Sequence, residues 1–381
     1  MSVSDMCSHL LSDWVPSLPV AVSSSFVGWP PFLLDRVNMN GNEVLTLRRE
    51  AGRSDRQWKS VLSWMIGVAG ARHVLGSEGY RWIAPLSAFY PGAVQTVDIP
   101  AWHPSFPRSS IIATNLPGSP SRLRPDYLAL RSTASKVQGG YEWAVAEAKG
   151  TQVSLTDMAV CPTNWSNQAR NVTISIDGSQ IPIPRHMVIA TRVNPNAGRL
   201  KTRRLQVRAW NRHLQPDEPQ LPSEAAIEIA AAHIFGLFRG LRLEANALAI
   251  ALSVQRRAGT LGARMFDFFS TDANRIFDSA DRELDERSIK QPPTVGAIPA
   301  ELISVETELG PIAVTLAEPL IALARRLRQV ETHDAAAKVL SEADSALDKW
   351  ESSLRTAKPE HGGTILPSGI EIRLPRDFEP H

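Results

Sequence analysis

The stretch RPDYLALRSTASKVQGGYEWAVAEAKG, from Arg124 to Gly150, decides how the chain is read. Two strand-like runs, YLAL and YEWAVAEA, flank a polar loop holding Gly139 and Gly140, which is the pattern of an antiparallel pair. Side chains alternate along a strand, so Tyr141, Trp143, Val145, Glu147 and Lys149 share one face, as do Asp126, Leu128 and Leu130 on the first strand. A loop centred near Lys136 sets Asp126 opposite Glu147, Leu128 opposite Val145 and Leu130 opposite Trp143. Apolar pairs then lead up to two carboxylates and one ammonium at the end of the sheet. A buried strand has little use for such charges unless they bind water, a metal or a substrate.

Asp126 follows a proline, and Glu147-Ala148-Lys149 completes a pattern P-D…E-x-K with 20 residues between the acids. It is the only D/E-x-K in the chain. The pattern resembles the core motif of the PD-(D/E)xK nuclease superfamily, over about residues 45–215. The resemblance implies an α/β, restriction-endonuclease-like fold in which a small mixed sheet is flanked by helices. It implies that Asp126 and Glu147 ligate a divalent metal, Mg²⁺ or Mn²⁺, with the Ala148 carbonyl completing the shell, and that Lys149 orients or activates the attacking water. Hard oxygen ligands suit such ions. Relatives often carry a further acid upstream, for which Glu50 is the choice here over Glu43, Asp55 and Glu78. Some carry a glutamine on the helix after the E-x-K strand, a place that Gln168 or Gln152 would fill, and Gln168 is taken as the catalytic candidate.

Three segments are expected. Residues 1–44, rich in Ser, Pro and Trp, form an N-terminal arm; 45–216 form the nuclease-like core; 217–381 form a mainly helical C-terminal domain ending in a hairpin. Ser54–Gly76 reads as a helix capped by Ser54, with Trp58, Leu62, Met65 and Ala69 as its buried stripe. NWSNQARN suggests a short helix or turn, VTISIDGSQIPIP a hairpin about Asp177-Gly178, and His186–Val193 and Arg203–Trp210 two further strands. From Ser223, a proposed N-cap, Ile227, Ile234, Leu237, Phe238 and Leu241 recur on one helical face. The run EPLIALARRLRQVETHDAAAKVLSEADSALDKWESSL favours helix, QPPTVGAIP reads as a linker, and ILPSGIEIRL as a small closing hairpin.

The net charge of +2 excludes a polycation, so attraction for DNA must come from local asymmetry. Gly178–Pro216 holds no acid but eight cations, namely Arg185, Arg192, Arg199, Lys201, Arg203, Arg204, Arg208 and Arg212. These are candidates for phosphate contacts, and a solvated face balanced by acids elsewhere is the competing account. Residues 301–360 carry eleven acids against seven bases, which suits docking, dimerisation or a partner subunit better than DNA. Two distant cysteines, no signal-peptide pattern and no apolar run of membrane length point to a cytoplasmic protein. No G-x-S-x-G elbow and no G-x-x-x-x-G-K-[ST] loop occurs, which leaves hydrolase triads and NTPase chemistry unsupported. The expected activity is Mg²⁺-dependent cleavage of DNA by an endonuclease, in restriction or anti-phage defence. The alternative is a non-catalytic DNA-binding or assembly subunit that retains the fold.

Overall fold

Strict alternation gives the run from Tyr141 two unequal faces: Trp143, Val145, Glu147 and Lys149 on one, Ala144, Ala146, Ala148 and Gly150 on the other. The small face invites a helix to lie close, and the large face demands a core. A computed structural model of the chain has both features. It describes residues 9, 37–39, 45–47, 56–90, 110–120, 123–132, 140–151, 155, 158–192, 206–213, 221–241, 243–257, 263–287, 300–307, 310–330, 332–356, 364–366 and 368–373.

The strands in chain order are β1 (Val37–Met39), β2 (Leu45–Leu47), β3 (Trp82–Pro85), β4 (Ile111–Thr114), β5 (Tyr127–Ser132), β6 (Tyr141–Thr151), β7 (Thr173–Ile176), β8 (Ser179–Ile181), β9 (Arg185–Arg192) and β10 (Gln206–His213). A central five-stranded sheet has the order β10-β9-β6-β5-β3. Leu128 pairs with Val145 and Leu130 with Trp143, the register that alternation demanded. β9 runs parallel to β6 while the other pairs are antiparallel, so the sheet is mixed. A parallel neighbour requires a crossover. Here it consists of helix α2 (Thr163–Arg170) and the β7–β8 hairpin, whose turn holds Asp177 and Gly178 at φ values of 49° and 81°. β4 adds to that hairpin as a third strand.

Helix α1 (Arg56–Ser77) lies on the Ala/Gly face of β6 and against β9. Leu62, Met65 and Ala69 are buried there with Ala144, Ala146, Met187 and Ile189. The seat is tight: a Cβ on Gly150 would lie 1.6 Å from the Ser63 carbonyl oxygen, and one on Gly67 would lie 2.5 Å from the Gly150 nitrogen. Gly150→Ala is therefore expected to push α1 off the strand end and to destabilise the fold by about 1–3 kcal/mol. A denaturation midpoint equal to that of the wild type would disprove this contact. The expected cap Ser54 and the side chain of Trp58 lie outside the described residues.

The opposite face meets α3 (Ser223–Gly240), which packs across β3 and β5. Every residue from Ala225 to Arg239 is buried, so this helix is covered on all sides rather than along the single stripe that its spacing suggested. Its poly-apolar sequence allows that, since only Glu224, Glu228, His233 and Arg239 between Ser223 and Gly240 carry ionisable groups. Glu228 is satisfied by the Ser110 and Ile111 amides. The helix begins one residue earlier than the Ser223 cap implied: the Ala226 amide donates to the Pro222 carbonyl, and no side chain caps it.

α4 (Glu244–Arg257) packs on α3 and carries α5 (Ala263–Arg287) and α6 (Glu318–Gln329), while α7 (His333–Thr356) meets both α3 and α6. β11 (Ala300–Thr307), β12 (Gly310–Ala317), β13 (Thr364–Leu366) and β14 (Ile370–Arg373) form a four-stranded sheet ordered β11-β12-β14-β13. The closing hairpin is its β13–β14 edge. One buried cluster runs from Trp82, Leu128 and Trp143 through Phe235 and Phe238 to Leu347 and Trp350. At that seam Asp344 of α7 accepts from Arg81 Nη1 (3.1 Å), Trp82 Nε1 (3.1 Å) and the Tyr141 hydroxyl (3.0 Å). Most of the expected N-terminal arm and the QPPTVGAIP segment lie outside the described residues. No helix among the described residues is long and apolar enough to cross a membrane.

Candidate active site

Asp126 immediately precedes β5, and its amide donates to the Ala146 carbonyl (3.0 Å), which extends the ladder by one step and sets it beside Glu147. The Ala148 amide donates to Asp126 Oδ2 at 2.7 Å, so the carboxylate is held by the backbone of the neighbouring strand. Charge-assisted bonds of this kind fix a side chain well.

Glu147 is 1% exposed. Its Oε1 lies 2.6 Å from Lys149 Nζ, while Oε2 is enclosed with no hydrogen-bond partner. Burial, and then the negative charge of Asp126, push the Glu147 carboxyl up to about 9, and Lys149 pulls the other way without prevailing. An acidic Glu147 reconciles these contacts. Oε1 accepts from Lys149, and a neutral carboxyl avoids setting a second buried negative charge beside Asp126.

Lys149 Nζ also donates to Gln168 Oε1 at 2.6 Å, and Gln168 Nε2 donates to the Arg124 carbonyl at 2.9 Å. Gln168 comes from α2, so the crossover that makes β9 parallel also carries the amide over the end of β6. The Arg124 guanidinium in turn sits 4.3 Å from the centre of the Tyr90 ring. Asp126, Glu147, Lys149 and Gln168 thus converge, and Ala148 contributes its backbone amide. Glu50 and Gln152 lie outside the described residues.

The basic run divides. Arg185 takes the parity of Met187 and Ile189, faces α1 and pairs with Glu142 at 3.5 Å, away from the cluster. Arg192 and Arg208 take the cluster's face. Arg192 Nη1 donates to Gln206 at 3.3 Å, and Arg208 Nη1 to the Leu155 carbonyl at 2.8 Å. Arg212 is placed by its backbone opposite His186, while Arg199, Lys201, Arg203 and Arg204 lie outside the described residues. Three aromatic side chains accompany these groups. Tyr90 lies under Arg124, and Trp165 and Trp210 pack edge to face with ring centres 6.1 Å apart.

Among the described residues no three His, Cys, Asp or Glu side chains gather as a metal-holding group. A divalent cation nevertheless suits the Asp126–Glu147 pair. Burial and the neighbouring Asp126 disfavour a charge on Glu147, whose Oε2 is an orphaned buried oxygen, and Mg²⁺ or Mn²⁺ would supply the positive charge that is lacking there. No protein-family model, curated protein or solved structure matches the chain significantly.

Proposed function

We propose that the chain is a Mg²⁺- or Mn²⁺-dependent deoxyribonuclease of the PD-(D/E)xK type with a restriction-endonuclease-like core, an endonuclease suited to restriction or anti-phage defence. The observation that carries this reading is the position of Lys149 Nζ, 2.6 Å from both Glu147 Oε1 and Gln168 Oε1 and two residues along the strand from the carboxylate pair. An ion pair that merely closed a hairpin would lie in solvent, whereas here Glu147 is buried beneath an amide brought from another element.

Asp126 and Glu147 would hold the cation, which when bound polarises the phosphate and lowers the pKa of an adjacent water. Asp126 keeps its orientation through the Ala148 amide, so the carboxylate is set before any ligand arrives. Lys149 presents its Nζ at the rim of the cluster, where it can orient the attacking water and stabilise charge developing on the phosphoryl oxygens. Gln168 acts as a positioning residue, holding that Nζ against the Arg124 carbonyl scaffold. In the reaction the water oxygen forms a new bond to phosphorus, the bond to one ester oxygen breaks, and that oxygen gains a proton.

Calorimetry gives the direct test. The wild type should bind about one Mn²⁺ per chain, and Asp126→Ala should abolish that binding while the circular dichroism spectrum stays unchanged. Equal Mn²⁺ affinity in a folded Asp126→Ala variant would remove the metal site from this cluster.

A further inference from the structure

Two registers fix what stands beside the cluster. Glu147 pairs with Val188 and Lys149 with Ala190 across the parallel ladder, and Val188 pairs with Trp210 and Ala190 with Arg208 across the antiparallel one. Residues paired in this way point to the same face. Two rows therefore cross the sheet side by side, Glu147–Val188–Trp210 and Lys149–Ala190–Arg208. Each carries a charged group of the cluster at one end and a β10 side chain at the other, with a small or β-branched apolar residue between.

β10 is the edge strand, and Trp210 and Arg208 are half-buried on it. The Arg208 guanidinium lies 5.6 Å from the Trp210 ring centre, and Trp165 of α2 meets the same indole edge to face. Trp165 is one helical turn before Gln168, so the helix that orients Lys149 also carries the second indole. The Trp210 Nε1 is enclosed with no hydrogen-bond partner, as is that of Trp143 in the core, but Trp210 is half-buried on an edge strand.

From these placements we infer that Arg208, Trp210 and Trp165 form a stacking track for an unpaired stretch of DNA next to the scissile phosphate. The inference rests on the nuclease reading of the Asp126–Glu147–Lys149 cluster and deepens it by naming a single-stranded substrate segment. The scale fits. Two strand spacings of about 4.8 Å put the track roughly 10 Å from β6, the span of about three stacked nucleotides at ~3.4 Å each. An indole takes the π-face of a base, which a paired and stacked duplex does not expose, and it does so with little sequence preference. Arg208, beside the ring and with Nη1 held by the Leu155 carbonyl, adds a cation for the neighbouring phosphate. The chain would accordingly act on single strands, flaps or frayed ends rather than on continuous duplex.

The test uses full-length protein in EDTA and a fluorescein-labelled oligo(dT) of about 20 nucleotides, beside a duplex and an oligo(U) of the same length. Oligo(dT) should bind more tightly than the duplex and quench tryptophan emission. Trp210→Ala should weaken that binding by about 10- to 100-fold, Trp210→Phe should retain most of it, and Arg208→Ala should flatten the salt dependence by about one counterion. Trp165→Ala, on the flank of α2, should also weaken binding, and it decides the matter if Trp210→Ala does not fold. Wild-type affinity in folded Trp210→Ala and Trp165→Ala would overturn the track. So would tighter binding to the duplex than to oligo(dT), and tighter binding of oligo(U) through Trp210 would overturn DNA as the occupant. Mn²⁺ calorimetry on the same variants separates the two proposals. Retained Mn²⁺ binding without tryptophan-dependent oligo(dT) binding ends the track alone, whereas loss of the metal site in the wild type ends the nuclease reading.

Discussion

Lys149→Ala is expected to retain Mn²⁺ and DNA binding yet to lose phosphodiester cleavage in Mg²⁺ by about 10²-fold or more. Two effects on metal affinity oppose each other. Removing the ammonium relieves its repulsion of the cation, but it also removes the one neighbour that pulls the Glu147 carboxyl down, so a proton competes harder for the site. Binding should therefore change little while the charge that faces the transition state is gone. Gln168→Ala keeps that charge and loses only its tether to Oε1, so its rate should fall between those of the wild type and Lys149→Ala, with metal affinity unchanged. The comparison is made by single-turnover cleavage of single-stranded and duplex substrates beside calorimetry. A purified Lys149→Ala protein that cuts at the wild-type rate would place the chemistry elsewhere. A wild type that cuts neither DNA nor RNA in Mg²⁺ or Mn²⁺ would favour the non-catalytic subunit.

The core of this site was legible because a strand's parity is unforgiving. A slip of one residue between β5 and β6 would turn Trp143 and Val145 toward α1 and the alanines toward the core, so the hydrophobic pattern alone selects the register that sets Asp126 by Glu147. Gln168 was legible only as one of two amides, since the path of the crossover, not its length, brings α2 over Lys149. Trp210 lay beyond reach of the sequence. Placing it beside the cluster needs the parallel register of β9 on β6 and then the antiparallel register of β10 on β9, and neither is written in local pattern. The β11–β12 hairpin was missed for a different reason. GPIAVTLAEPLIALA is apolar at nearly every position, which gives no period to tell strand from helix. The change comes at Glu318-Pro319, where proline in the first turn starts α6. The all-round burial of α3 has the same origin, since an alanine- and isoleucine-rich helix can be enclosed on every side, and its spacing marks only the face that would be buried first.

Glu147 should make metal-free protein less stable as pH rises. Its folded pKa, about 9, stands above the 4.5 of an ordinary glutamate, because ionising it strands a charge in a dry site beside Asp126. The folded state therefore holds a proton that the unfolded chain has already released. Stability from this group is fully present below the unfolded pKa and is lost as pH climbs through the folded one. Between about pH 5 and about pH 9 the unfolding free energy should fall by up to about 1.4 kcal/mol per unit from this residue. Glu147→Gln keeps the shape of the neutral acid and cannot ionise, so in EDTA it should be the more stable protein at alkaline pH and match the wild type near pH 5. Mn²⁺ should reverse the order. Binding must displace the Glu147 proton, so wild-type Mn²⁺ affinity should rise by up to about tenfold per pH unit over the same window, with proton release measurable by calorimetry in two buffers. Glu147→Gln should show neither the release nor the stabilisation. Chemical denaturation of both proteins across pH, with EDTA and with Mn²⁺, reads all of this at once. Parallel stability curves for the two proteins in EDTA would mean that Glu147 is ionised at neutral pH without a cation, and the charge deficit from which a metal site is proposed here would not exist.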